Sequence, residues 1–345
     1  MAAFNPIENR SMPSLKELAK IVGVSPTTVS FVLNGRSKEM RISQELSDKI
    51  MQTAKDMSYK PNNIAVALRT GQTKIIGLIV EDIGNSFFSN LAKTIEVEAN
   101  YYGYKLVYCS TENDDKKGQE LINMLSQQRV DGYLIAPTLG MQENIKGLIK
   151  AGMPLVLIDR YFEKITCPYV VVNNFDGIVN GVSHLIKKGY QKIGFVTVDS
   201  KLIQMTDRQN AFIETMKAHK LLKSRQQILQ LEFSDSKADA VEKIKVFLRA
   251  EKPDAVVFAT NYVGISGLQA VKELKLRIPD DLAVVCFDDN ELFDLCTPTI
   301  TAIQQPVEEI AKAAVKILMG ELGVIKKSAK KQIRIPTKMI YRESV

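Results

Sequence analysis

Thr27, Thr28, Ser30, Phe31 and Asn34 lie within a stretch of ten residues, "SPTTVSFVLN", whose apolar members alone can supply a small core. With Val29, Val32 and Leu33 turned inward, the five remaining side chains face out. They offer hydroxyls, methyls, an amide and one ring. Such short teeth suit the edges of bases in a DNA major groove, where hydrogen-bonding groups and methyl contacts read sequence while cations placed nearby hold phosphate. Lys16, Lys20, Arg36, Lys38 and Arg41 are the cations at hand. Between residues 14 and 70, nine Lys/Arg stand against five Asp/Glu, so the overall charge of +7 is concentrated where such contacts would be made. The stretch "KKSAKK" at 326–331 reads instead as a solvated loop.

Other chemistry is poorly provided for. There is no GxSxG and no GxxxxGK[ST], and neither His184 nor His219 stands near a candidate nucleophile. The four cysteines show no CxxC spacing, so no zinc site, catalytic residue or cofactor is expected. Cys109 and Cys286 fall in strand-like runs and read as buried thiols. No apolar run approaches the roughly 20 residues that span a bilayer. The beginning, "MAAFNPIENRSMPS", has no apolar signal core, and a cytoplasmic protein with no membrane partner is expected.

The elements that must position these residues are legible from caps and periodicity. "SLKE" is a capping box with Ser14 as N-cap. "GVSPTT" ends one helix at Gly23 and begins another with Ser25 as N-cap and Pro26 in the first turn. Ser43 opens a third helix carrying Leu46, Ile50, Ala54 and Met57 on one side. Helix, tight Gly-containing turn, helix is a helix-turn-helix pattern, although any small capped bundle can show it. Past residue 72 the chain alternates strands and helices. "KIIGLIV", "YKLVYC", "DGYLIA" and "PLVLI" form one series of buried parallel strands, and "KIGFVTV", "DAVVFAT" and "LAVVCFDD" form a second. Two doubly wound sheets of about 120 residues each, facing across a cleft, follow from this order.

In sequence order, "SLKELAKIVGVSPTTVSFVLNG", "YKPNNIAVALRTGQTKIIGLIV", "NSFFSNLAKTIEVEANYYGYKLVYCST", "VDGYLIAP", "VLIDR", "VCFDD" and "PTITAIQQP" closely resemble the lactose/galactose-repressor (LacI-type) family of transcription regulators, over nearly the whole chain. The resemblance implies an α + α/β protein. A leader (1–13) precedes a helix-turn-helix head (14–61), a hinge helix or linker (62–71) and an effector-binding and dimerisation domain (72–345). The last resembles periplasmic binding proteins. Its N-subdomain would take about 72–172 and 304–330, and its C-subdomain about 173–303 and 331–345.

By the same resemblance, a homodimer binds a palindromic operator, most simply as a repressor of carbohydrate-metabolism genes. Pro26 and Thr27 face bases, with Phe31 beside them. Ser14, Ser25, Ser30 and Asn34 support the contact, and Tyr59 sits near phosphate. In "NNIAVALRT", Asn62 caps a hinge helix whose Ala65 and Leu68 meet the minor groove. Nine residues are too few for a stable isolated helix, and an apolar wedge there kinks the duplex; an ordinary linker helix is the alternative. Many family members carry Arg where this chain has Phe31, which implies a different base at that half-site position. A small insertion around "GRSKEMRIS" is a second departure.

The effector, most simply a sugar or sugar derivative, is expected at Phe87, Phe88, Asp159, Arg208, Asn261 and Asp288. Carboxylates and an amide suit vicinal hydroxyls, a guanidinium donates, and an aromatic covers a ring face. Plainer readings exist: Asp288 and Asp289 as caps of the next helix, Arg208 in a surface ion pair, Phe87 or Phe88 as core. Tyr262 stands where the family often has Asp, and Glu81-Asp82 where Pro-Asp is common. A purine or phosphorylated metabolite therefore stays open as ligand, and so does a solute-binding receptor as function. No leucine-heptad tail follows "IRIPTKMIYRESV", so a dimer rather than a tetramer is expected.

Overall fold

The computed structural model describes residues 13–59 and 71–345, which fall into two compact units, one ending at Thr73 and the other beginning at Lys74. The hinge residues expected from the sequence, Asn62, Ala65 and Leu68, lie outside the described residues.

The first unit holds α1 (Leu15–Val22), α2 (Pro26–Leu33) and α3 (Gln44–Asp56). Each starts on a serine. Ser14 Oγ accepts from the Glu17 N–H while Glu17 accepts from Ser14 N–H, Ser25 Oγ accepts from Thr28 N–H, and Ser43 Oγ accepts from Leu46 N–H. Gly23, at φ 81°, makes the left-handed turn between α1 and α2 that a side chain would strain. Leu18, Ala19, Val22, Val29, Val32, Ile50 and Ala54 form the core, with Val24, Leu33, Leu46 and Met57 packed on it.

In the second unit the strands are β1 (Ile75–Val80), β2 (Lys105–Ser110), β3 (Gly132–Ile135), β4 (Leu155–Ile158), β5 (Tyr169–Val172), β6 (Ile193–Val198), β7 (Ile228–Leu231), β8 (Ala255–Phe258), β9 (Ala283–Phe287), β10 (Thr301–Gln304), β11 (Gln332–Ile335) and β12 (Lys338–Ile340). Helices α4 (Ser86–Tyr101), α5 (Asp115–Gln127), α6 (Gln142–Lys150), α7 (Asn174–Lys187), α8 (Ile203–Ala218), α9 (Lys237–Glu251), α10 (Asn261–Glu273), α11 (Glu291–Leu295) and α12 (Val307–Glu321) cover them. One sheet runs β2-β1-β3-β4-β5-β11, all parallel. The other runs β7-β6-β8-β9-β10-β12, with only β12 antiparallel. In each sheet the order reverses between its first and third strands, the point where α/β folds leave a crevice beyond the strand ends.

The chain passes between the lobes three times, after β5, after β10 and between β11 and β12. Helix α7 packs on the second sheet and α12 on the first. The last crossing corrects an expectation. The resemblance puts residues 331–345 in the second lobe, yet β11 extends the first sheet beside β5, with Ile333 opposite Val170. Ile333 and Ile335 pack on the core while Gln332 and Arg334 face solvent, and Pro336, with no N–H to give a ladder, ends the pairing.

Candidate functional site

On the head, Pro26 and Thr27 are exposed at the start of α2, and Ser30 and Phe31 are half-buried one turn on. Several of the outward teeth are tied to their own helix. Ser25 Oγ lies 2.8 Å from Thr28 Oγ1, and Asn34 Nδ2 donates to the Ser30 carbonyl at 2.6 Å and lies 3.3 Å from its Oγ. Those groups hold the shape of α2, which leaves Pro26, Thr27 and the half-buried Phe31 ring as the surface not tied up in this way. The Arg36 guanidinium sits 5.3 Å from the Phe31 centroid and also pairs with Glu39 at 2.5 Å, so of the cations expected around α2 this one is already engaged. Lys16, Lys20, Lys38 and Arg41 are exposed. Tyr59 is half-buried against the head core, and burial pushes its phenol up from the usual value.

In the second unit, Phe87, Phe88, Asp159, Arg208 and Asp288 line one small cavity of about 40 Å³, between the carboxyl ends of strands from both sheets. Asn261 does not join them. It lines the adjoining cavity of about 530 Å³, where its Nδ2 donates to Asn85 Oδ1 and Ser86 Oγ, both at 3.1 Å. Asn290 Nδ2 donates to the same Ser86 Oγ at 2.9 Å, so polar contacts link the start of α4 to the second lobe.

The plainer readings are settled by burial. Arg208 is 2% exposed: it donates to Asn174 Oδ1 (2.9 Å) and the Ala259 carbonyl (2.7 Å), lies 3.7 Å from Asp288, and stacks 3.6 Å from the Phe287 centroid. Asn290, not Asp288 or Asp289, caps α11, and Asp289 is bound bidentately by Arg342. Phe87 and Phe88 are both buried core and cavity wall, in edge contact at 5.0 Å.

The sequence reading missed a second layer. Arg160, 1% exposed, donates to Glu81 (2.5 Å), Asp159 (3.0 Å) and Asn113 (2.9 Å). Gln204 reaches Asp159 at 3.5 Å, and Gln305 donates to Asp288 at 2.6 Å. The only available signal was position: Asp-Arg directly after β4, and Gln directly after β10. Burial is the largest influence on the Asp159 and Asp288 carboxyls and pushes both up, against the pull of Arg160 and Arg208 on Asp159 and of Arg208 on Asp288. The arrangement of carboxylates, amides, guanidinium groups and rings can bind a polar ligand. Among the described residues no three His, Cys, Asp or Glu side chains converge as a metal site, and no helix is long and apolar enough to cross a membrane.

Comparison with known proteins agrees with both units. Residues 14–62 match the model for bacterial regulatory proteins of the lacI family, and residues 182–345 match a periplasmic binding protein-like domain. The transcriptional regulator DegA of Bacillus subtilis is 28% identical over 335 residues, covering 96% of this chain and 97% of that protein. A ribose operon repressor of Halalkalibacterium halodurans is 29% identical over 336 residues, with 96% and 97% covered. In fold, the chain superposes on the Lac repressor dimer bound to operator and anti-inducer with a TM-score of 0.85 at 21% identity, covering 96% and 98%. The chain therefore joins a DNA-binding head of the lacI family of bacterial regulatory proteins, over residues 14–62, to a periplasmic binding protein-like domain.

Proposed function

We propose that this protein represses carbohydrate-metabolism genes in the cytoplasm as a homodimer on a palindromic operator, released or tightened by a sugar-like effector held between its two lobes, and that it catalyses no reaction. The observation that carries this reading is the cavity where Asp159 from one lobe and Arg208 and Asp288 from the other converge with Phe87 and Phe88. Carboxylates and amides there suit hydroxyl groups, and the phenylalanines suit an apolar ring face. At about 40 Å³ the small cavity alone is smaller than a sugar, so a ligand there either extends into the adjoining cavity of about 530 Å³ or is admitted as the lobes part and re-close around it. A ligand that favours one lobe angle shifts the population of that state. In this reading Thr27, Pro26 and Phe31 touch bases, and Ser14, Ser25, Ser30, Asn34 and Tyr59 support the backbone contact.

The test is a mobility shift of the full-length protein on DNA obtained by selection, with and without a panel of sugars. A sugar that changes operator affinity must itself bind more tightly or more weakly in the presence of operator by the same factor. Operator affinity that no panel member alters argues against gating by sugars, and a monomer in sedimentation at operator-binding concentrations argues against the dimer.

A further inference from the structure

The cleft carries more acid than its own bases neutralise. Glu81, Asp159 and Asp288 line the small cavity, against Arg208 on its wall and Arg160 just behind. Arg160 is spent and Arg208 is partly so. Arg160 holds Glu81, Asp159 and Asn113, and Arg208 holds Asn174 and the Ala259 carbonyl beside Asp288. The adjoining larger cavity shares Glu81, Asn85, Val198, Phe233 and Tyr262 with the small one and continues the imbalance, adding Asp82, Glu232 and Asp235 against Lys237. Of these, Asp235 is paired with Lys243.

A second observation is independent of charge. Gln204 and Gln305, each 5% exposed, line the small cavity, and the Oε1 of each has no hydrogen-bond donor. Neither amide can turn over to cure this. Each nitrogen is directed at a carboxylate, Asp159 or Asp288, and a flipped amide would set oxygen against oxygen. A buried acceptor left in this way is costly, so the site calls for a ligand rich in donors. An anion would find Arg160 committed, Arg208 partly so, and three carboxylates lining the same cavity. A bare metal ion is poorly served, because among the described residues no three ligating side chains converge.

We propose that the effector is an amino sugar: a hydroxylated ring bearing a protonated amine, the hydroxyls donating to Gln204, Gln305 and the aspartates, the ammonium set on the Glu81 side near Tyr262. This deepens, and rests on, the reading of the cleft as a sugar-like effector site. Phe233 and the half-exposed Tyr262 supply aromatic faces that also favour a cation.

The experiment is calorimetric titration of the full-length protein with glucosamine, galactosamine and mannosamine, each against its neutral parent, its N-acetyl derivative and its 6-phosphate. At least one amine is expected to bind about tenfold or more tightly than its neutral twin, as a charge-assisted contact in a desolvated site provides. Glu81→Gln is expected to erase that ratio, the amine and its neutral twin then binding alike. Asp82→Asn, which leaves the pairs of Arg160 intact, is expected to lower the ratio if Glu81→Gln fails to fold. A neutral or phosphorylated sugar that binds better than its amine twin, or a ratio that Asp82→Asn and a folded Glu81→Gln both leave unchanged, overturns the amine and leaves the sugar-gated regulator standing. Absence of binding by every member overturns the sugar reading together with the proposal.

Discussion

Asp159 and Asp288 end the fourth strands of the two sheets, and both take a left-handed backbone, φ 64° and 68°. Aspartate tolerates that region better than most residues, and the turn aims each carboxylate back across the strand ends. Since burial raises both carboxyl pKa values above the ordinary 3.8, the folded chain binds these protons more tightly than the unfolded chain. Their contribution to stability is thus greatest at low pH and falls as pH climbs from about 4 through the raised values. Asp288→Asn should flatten that decline in urea melts of ligand-free protein between about pH 4 and pH 7. Arg160 poses the opposite case. Arg160→Met leaves Glu81 and Asp159 buried without their cation and should cost about 3–5 kcal/mol in the same melts. On the head, Phe31 can offer only apolar contact to a base, for instance a thymine methyl. Phe31→Arg should move the base preference at one half-site position toward guanine, by about 1–3 kcal/mol, read by selection of bound DNA.

Among the elements, helix α10 shows how closely the second lobe is packed. A Cβ at Gly267 would overlap the Phe258 ring on β8. Gly267→Ala should therefore destabilise by about 1–3 kcal/mol despite alanine's better helix propensity, a loss calorimetry can measure. The serine caps of the head were legible because capping depends on neighbours within three residues. Equally legible was the buried face of α4, where Leu91, Ile95 and Ala99 recur every four residues and are all buried. Edge strand β7, "ILQL", was not, because an edge is wetted and its pattern blurs: Gln230 is exposed while Leu231 is buried. Edge strand β11, "QIRI", blurs for the same reason, with Gln332 and Arg334 exposed.

At the scale of the whole second unit, the contacts that join the two lobes include Ser86 Oγ, which accepts from both Asn261 and Asn290, and the Asn85–Asn261 amide pair. These are neutral contacts, each worth about 1 kcal/mol, weak enough for a ligand's differential binding to outweigh. Ser86→Ala should shift the ligand-free protein toward an open lobe angle, seen as a larger radius of gyration in solution scattering. An unchanged radius would mean that the lobes are held by something other than this contact.

By itself the sequence determined the three capped helices of the head, the strand-and-helix alternation of the core and the family resemblance, since each is written in local spacing or in the order of motifs. The six expected cleft residues came from the resemblance, and all but Asn261 line the small cavity. Only the tertiary structure decided that Arg160, Gln204 and Gln305 stand behind them, that Asn261 turns to Asn85 and Ser86, and that β11 returns to the first sheet. Those facts join residues up to 176 positions apart. Charge balance, burial and unmet hydrogen bonds are properties of a place in space, and no interval along the chain encodes them.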